Sequence, residues 1–134
     1  MIVLEKQKLN SHKDLIVWQK SLDLIEAIYQ ITKTFPNDEL YGLTSQMRRA
    51  VVSIATNITE GYQRNYIKEY IQFLYIAKSS ASELETLLNI AYRLKLINSF
   101  DLNNINTSLL EILKMLSSLI SKLKTKSMIR STIP

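Results

Sequence analysis

The chain has 134 residues, of which 46% are apolar and 22% charged, a composition typical of one globular domain with an ordinary core. Its 17 basic and 12 acidic residues give a net charge of +5, which permits binding to nucleic-acid phosphates but does not require it. The absence of cysteine excludes disulfides and thiolate metal sites, and a single histidine, His12, excludes a histidine-cluster metal site. We therefore expect no metal and no cofactor.

The sequence also argues against a membrane or secreted protein. No apolar run approaches the roughly 20 residues needed to span a bilayer. The first ten residues, MIVLEKQKLN, contain an early acid and lack the basic start of a secretory signal. We expect a cytoplasmic protein without a membrane partner. The chain has only two glycines and two prolines, which favours a few long elements joined by few turns.

The first predicted helix covers about residues 13–34. Its apolar residues alternate in spacings of three and four, and we expect this line to face the core. The line consists of Leu15, Trp18, Leu22, Ile25, Tyr29 and Thr32. Phe35-Pro36 ends the helix, because the residue before a proline is pushed out of the helical region. His12 precedes the helix and is predicted to be solvated.

The second helix is predicted to start with a cap at Thr44 or Ser45 and to end near Glu60, with Gly61 as a left-handed C-terminal cap. Its core line is Met47, Val51, Ile54 and Ile58.

Two adjacent arginines stand out on this otherwise apolar helix. Arg48 and Arg49 lie about 100° and 200° from Met47 around the helix axis. We therefore predict that Arg49 is exposed and that Arg48 lies at a boundary, where a subunit contact would fit. The alternative for both residues is salt bridging within or between chains.

The third helix is predicted from about residue 66 to residue 96, and the fourth from Ser99 or Asp101 onward. The core line of the third helix is Ile67, Tyr70, Leu74, Ala77, Ala81, Leu84, Leu88 and Ala91. That of the fourth is Leu102, Ile105, Leu109, Ile112, Leu116, Leu119 and Leu123. The last ten residues, TKSMIRSTIP, lose this period and carry only positive charge, so we expect a flexible basic tail.

Four long amphipathic helices with mostly short connections predict an all-α protein, an up-down-up-down antiparallel four-helix bundle. We expect one domain over residues 1–134, with its core at about 13–124.

The first and third helices each carry a second apolar line beside the first. On helix one it comprises Val17, Ser21, Leu24, Ile28, Ile31 and Phe35; on helix three it comprises Phe73, Ile76, Ser80, Glu83, Leu87, Ile90 and Leu94. One interpretation is a wide core stripe. The other is an oligomer interface, because four of these residues are predicted to face water in a lone bundle. These are Leu24, Ile31, Ile76 and Ile90.

No catalytic constellation is visible, so we do not expect an enzyme. The sequence has no cysteine nucleophile and no glycine-rich phosphate loop, and Glu83 and Glu85 point to different faces of one helix. Tyr62 and Tyr66 flank Arg64 and are candidates for stacking on bases, with packing inside the loop as the alternative.

Two stretches resemble a known family. They are similar to the two halves of the four-helix-bundle proteins encoded in intervening sequences of bacterial large-subunit ribosomal RNA genes. The stretches are DLIVWQKSLDLIEAIYQITKTFPNDELYGLTSQMRRAVVSIATNITEGYQR and EYIQFLYIAKSSASELETLLNIAYRL. The matching positions include Trp18, Phe35-Pro36, Arg48-Arg49-Ala50 and Glu60-Gly61. The resemblance covers about residues 13–124.

The resemblance implies a ring-shaped homopentamer. It also implies kinship with the accessory variability protein of diversity-generating retroelements, a basic pentamer that works with a reverse transcriptase and its template RNA. The chain departs from the family at Thr59, where alanine is usual, and at 78–80, where Lys-Ser-Ser replaces a common Arg-Gly-Ser. We expect the missing glycine to alter the packing of helix three.

We therefore predict a non-enzymatic homo-oligomer that binds nucleic acid, with RNA favoured over DNA and a reverse transcriptase as a candidate partner. The alternative is a protein-interaction scaffold that binds no nucleic acid. The predicted anion-binding residues are Arg48, Arg49, Arg64, Lys68, Lys78 and Arg93.

Overall fold

The computed structural model describes residues 11–132 and leaves 1–10 and 133–134 undescribed. It contains four helices: α1 (Ile16–Thr32), α2 (Ser45–Tyr62), α3 (Ile67–Arg93) and α4 (Ser99–Thr132). Each helix packs against the next, and α4 packs against α1. The connections 63–66 and 94–98 are too short for anything but antiparallel neighbours. The predicted all-α four-helix bundle is confirmed.

The core lines predicted for α2, α3 and α4 are confirmed. Met47, Val51, Ile54 and Ile58 of α2 have no exposed surface. All eight residues of the line on α3 are buried. On α4 the line is buried except at Leu119, which is half-buried, and Ile120 joins it. Each of these helices therefore turns its predicted apolar face to the bundle axis.

The core line predicted for α1 is confirmed only in part: Thr32 is buried and Leu15, Trp18 and Ile25 are half-buried against the core, but Leu22 and Tyr29 are exposed. The residues that α1 buries are Val17, Ser21, Leu24, Ile28 and Thr32. Leu22, which we expected inside, is 38% exposed, and Leu24 is 2% exposed. Both candidate lines have heptad spacing and differ only by a rotation of the helix, so spacing alone could not choose between them. The hydroxyls of Ser21 and Thr32 donate to the carbonyl oxygens of Val17 and Ile28, both at 2.7 Å, which lets polar residues occupy the core.

The segment before α2 is a kinked turn rather than a simple cap. The Glu39 carboxylate accepts a hydrogen bond from the Leu43 backbone N–H at 3.2 Å. Gly42 has φ −108° and ψ −110°, outside the helical region, and it marks the kink. The predicted cap at Thr44 or Ser45 is not observed, because the Thr44 side chain makes no capping bond. Glu39 supplies the acceptor one turn earlier.

Gly61 lies inside α2 and does not form the predicted left-handed cap. A Cβ atom at Gly61 would lie 2.9 Å from Phe73 Cβ and 3.2 Å from the Tyr70 carbonyl oxygen. The glycine therefore allows α2 and α3 to approach closely. The left-handed residue is instead Lys95, with φ 63°, just after the end of α3.

We expect Gly61→Ala to lower the free energy of unfolding by up to about 2 kcal/mol. Alanine should gain roughly 1 kcal/mol of helix propensity, but overpacking against α3 should cost roughly 1–3 kcal/mol. Phe73 Cβ and the Tyr70 backbone cannot rotate away from the new methyl group. Urea unfolding measures the change, with the exposed Thr56→Ala on the same helix as a control. A Gly61→Ala variant more stable than the wild type would contradict the close approach.

The predicted flexible tail is helical over most of its length. Helix α4 continues through 125–132 and ends at Thr132. Residues 133–134 lie outside the described part of the chain. A loss of apolar period at a helix end does not stop the helix, because backbone hydrogen bonds continue without a packed face.

Candidate anion-binding groove

An open groove lies between α1 and the start of α2, with a volume of about 660 Å³. We call it the α1/α2 groove. Its lining residues are Tyr29, Leu40, Tyr41, Thr44, Ser45, Arg48, Arg49, Val52, Ser53 and Thr56. Among residues 11–132, those that line it include two arginines, two tyrosines and four hydroxyl residues but no carboxylate. The groove therefore has the donors and the positive charge that suit an anion.

Arg48 is held in place by contacts with α1. Its Nε donates to Thr32 Oγ1 at 2.9 Å, and its guanidinium carbon lies 4.5 Å from the centroid of the Tyr29 ring. Stacking of this kind leaves the guanidinium N–H groups that point away from Thr32 free to donate. Arg48 is half-buried at the boundary that the sequence predicted.

Arg49 is exposed on the outer side of α2, as predicted. Neither Arg48 nor Arg49 forms an ion pair with any part of the chain that the structure describes. The ion pair within the chain that we held as an alternative is therefore absent from residues 11–132. Arginines without a carboxylate partner are candidates for binding a phosphate, because a guanidinium group can donate two parallel hydrogen bonds to it.

Tyr41 adds an aromatic surface to the groove, a role that was not predicted from the sequence. Its side chain is 94% exposed. An aromatic ring beside two arginines can stack on a base while the arginines bind the phosphates. The available signal was a tyrosine in a polar connector, NDELYGL, where no core contact explains it.

The six predicted anion-binding residues do not share one surface. Arg48 and Arg49 line the α1/α2 groove. Arg64 pairs with Glu60 at 3.4 Å and lies 4.6 Å from the Phe73 ring centroid, so it belongs to the packing of α2 on α3.

The remaining three predicted residues are on α3. Lys78 lies 6.0 Å from the centroid of the Tyr75 ring, which also contacts Lys124 of α4. Lys68 and Arg93 are exposed on the same helix. Lys124 was not among the predicted residues, because nothing in the sequence shows that α4 brings it next to Tyr75.

The four predicted interface residues differ in their exposure to solvent. The prediction for Leu24 is wrong, because Leu24 is buried within its own protomer and does not face water. Ile31 is half-buried and packs against the core. Ile76 and Ile90 are exposed on α3, as the interface hypothesis requires. The large apolar residues that α1 leaves exposed are instead Ile16, Leu22 and Tyr29, the last two from the line first expected to face the core.

A half-buried aromatic cluster closes the end of the bundle near residue 12. Trp18 Nε1 donates to Thr59 Oγ1 at 3.0 Å, so the threonine that departs from the resembled family has a partner. His12 packs edge-on against Trp18 at 5.0 Å between ring centroids, so it is half-buried and not fully solvated as predicted. Tyr62 is buried, which favours packing over base stacking. Burial, and secondarily the nearby Tyr62 hydroxyl, raises the pKa of Tyr70, which keeps its phenol neutral.

The second departure from the family pattern causes no crowding within the protomer. Ser79 stands where glycine is common, and its side chain is exposed on α3. The expected change in packing is therefore not seen between the helices of one chain. The neighbouring Ser80 is buried and hydrogen-bonds Ser53 of α2 at 2.8 Å.

The helices within residues 11–132 include none that is long and apolar enough to cross a membrane. In the same part of the chain, no three His, Cys, Asp or Glu side chains are grouped to hold a metal ion.

The fold and the groove together define a basic four-helix-bundle protein whose second helix carries two adjacent arginines that form no ion pair within residues 11–132. The sequence profile of a family described as 23S rRNA-intervening sequence protein matches residues 13–118. The chain belongs to this family.

A solved structure supports the same assignment. It is a crystal structure of a protein of unknown function of the S23 ribosomal protein family from Bacteroides thetaiotaomicron, 31% identical to this chain. The two superpose with a TM-score of 0.73, over 78% of this chain and 98% of the other. No match was found among curated proteins.

Proposed function

We propose that this protein is a non-enzymatic, RNA-binding homo-oligomer. The observation that carries the proposal is the α1/α2 groove, where Arg48 and Arg49 lack carboxylate partners among the described residues and lie beside the exposed Tyr41. Guanidinium groups bind phosphates, and an exposed ring stacks on unpaired bases, so the combination suits single-stranded regions of RNA. The description of the family names a ribosomal RNA, which favours RNA over DNA as the ligand.

Exposed apolar side chains support the homo-oligomer. Leu22 of α1 and Ile76 and Ile90 of α3 are large apolar residues that the protomer leaves exposed. Surfaces of this kind commonly mark protein interfaces. A ring needs two different patches on each subunit, one for each neighbour. The homopentamer implied by the resemblance would repeat each groove, so that weak sites add up through multivalency.

A reverse transcriptase is the protein partner that the resemblance implies, and we propose the accessory role as its consequence. The alternative proposal is a scaffold that binds other proteins through the exposed apolar side chains and binds no nucleic acid. Binding to RNA separates the two proposals.

The test is the affinity of the wild-type protein for a short unstructured RNA and for a hairpin RNA, measured across a salt series. Phosphate binding releases counterions, so the logarithm of the affinity should fall linearly with the logarithm of salt concentration for both RNAs. The unstructured RNA should bind more tightly, because its bases are free to stack. If neither RNA binds at low salt, the RNA-binding proposal is wrong and the scaffold remains.

We expect Ile76→Asp and Ile90→Asp each to dissociate the oligomer while leaving the protomer folded. Both side chains are exposed in the protomer, but an unpaired carboxylate is costly once a partner covers it. Light scattering at micromolar concentration gives the mass. Leu110→Asp is the matched control, because it places the same charge on an exposed position of α4. A monomeric wild type, or an unchanged mass for both variants, would refute this interface.

A further inference from the structure

A second cationic and aromatic surface lies on the opposite part of the molecule, where α3 meets α4. Three side chains define it: Tyr75 and Lys78 of α3 and Lys124 of α4. We call it the Tyr75 face. Lys124 Nζ donates to the Tyr75 hydroxyl at 2.5 Å, a contact across 49 residues of sequence. The face is separate from the α1/α2 groove, whose lining includes no residue of α3 or α4.

The ring of Tyr75 is held in position yet remains accessible. Its side chain is 42% exposed. Lys124 Nζ is 2.5 Å from the hydroxyl oxygen but 5.1 Å from the ring centroid, so the ammonium lies at the hydroxyl edge of the ring and does not cover its flat surface. Lys78 is more distant, at 6.0 Å from the centroid. The hydrogen bond therefore fixes the ring, and a flat ligand can still reach it.

The charge around the ring is positive on both helices. On α3, Lys68 precedes Tyr75 by seven residues and so lies on the same side of the helix, exposed. On α4, Lys124 contacts the ring itself, Lys126 follows it by two residues, and the sequence from 112 to 128 contains no acid. Glu85, two turns beyond Lys78 and half-buried, bounds the face on α3. This excess of positive charge beside an accessible ring suits a polyanion that carries flat groups along its chain.

We propose that the Tyr75 face is a second contact for single-stranded RNA, in which one base stacks on Tyr75 and Lys78 and Lys124 bind the flanking phosphates. This inference rests on the proposed RNA-binding function and adds a base-stacking site to it. Stacking on tyrosine tolerates every base, so the site contributes affinity for unpaired strands without reading their sequence. It also explains why an aromatic side chain is exposed between two lysines instead of being packed in the core.

The test compares two labelled oligonucleotides of the same length at low salt, an oligouridylate and an abasic ribose-phosphate chain. Tyr75→Leu should weaken binding of the oligouridylate about tenfold, within the range measured for a lost base–aromatic stack, and leave the abasic chain unaffected. Tyr75→Phe keeps the ring and loses the hydrogen bond to Lys124, so it should bind the oligouridylate within about twofold of the wild type.

Tyr92→Leu is the matched control, because Tyr92 is a similarly exposed tyrosine of α3 whose ring has no lysine over it among the described residues. It should bind as the wild type does, and thermal melting should show all variants folded. Equal losses for the two oligonucleotides, or no loss for Tyr75→Leu, would overturn the stacking site alone. A wild type that binds neither oligonucleotide would overturn the RNA-binding function as well.

Discussion

Leu24→Ala is expected to lower the free energy of unfolding by about 3 kcal/mol, whereas Leu22→Ala is expected to cost less than about 1 kcal/mol. The two leucines are separated by one residue on α1. Leu24 is 2% exposed and belongs to the core, so truncation removes buried contacts and leaves a cavity. Leu22 is 38% exposed and loses little on truncation. The expected order is the reverse of what the spacing of apolar residues indicates.

Urea unfolding at several protein concentrations measures both changes. Concentration matters because Leu22 is a candidate for a subunit contact, and a contact between chains stabilises the fold more as concentration rises. The cost of Leu24→Ala should not depend on concentration. Equal costs for the two variants at every concentration would mean that the rotation of α1 described here is wrong.

Arg49→Glu is expected to weaken RNA binding at low salt by at least tenfold. It should also reduce the slope of the logarithm of affinity against the logarithm of salt concentration by about one to two. Arg49 is exposed and unpaired among the described residues, so the substitution removes a phosphate contact and adds a repulsive charge without disturbing the core. The loss should be similar for RNAs of different sequence, since phosphate contacts carry no sequence information. A salt titration of affinity beside the wild type gives both quantities.

The matched control is Lys114→Glu, the same charge reversal at an exposed residue of α4 that lies against α1 and away from the groove. It should change affinity much less. Arg48→Glu should weaken binding and also lower the melting temperature, because it breaks the contacts with Thr32 and Tyr29. If Arg49→Glu binds RNA as tightly as the wild type, the arginine pair is structural and the scaffold proposal is favoured.

The sequence by itself determined the helices and most of the core. On α2, α3 and α4 the predicted core line is the one that the structure buries. Helical geometry fixes the angle between any two residues of one helix, so the most continuous apolar line identified the buried face of these three helices, even of α3, which carries a second line. The same geometry correctly separated Arg49, which is exposed, from Arg48, which is half-buried.

Only the tertiary structure decided what depends on a neighbouring helix. Helix α1 has two apolar lines, and the packing of α2 and α4 selects the line through Leu24. Gly61 looked like a cap until Tyr70 and Phe73 of α3 were placed against it. Arg48 meets Tyr29, and Lys124 meets Tyr75, across 19 and 49 residues of sequence. Apolar periodicity shows which residues share one face of a helix. It shows neither how that helix is rotated in the bundle nor which side chains of other helices it contacts. Those contacts divide the cations between the α1/α2 groove and the Tyr75 face.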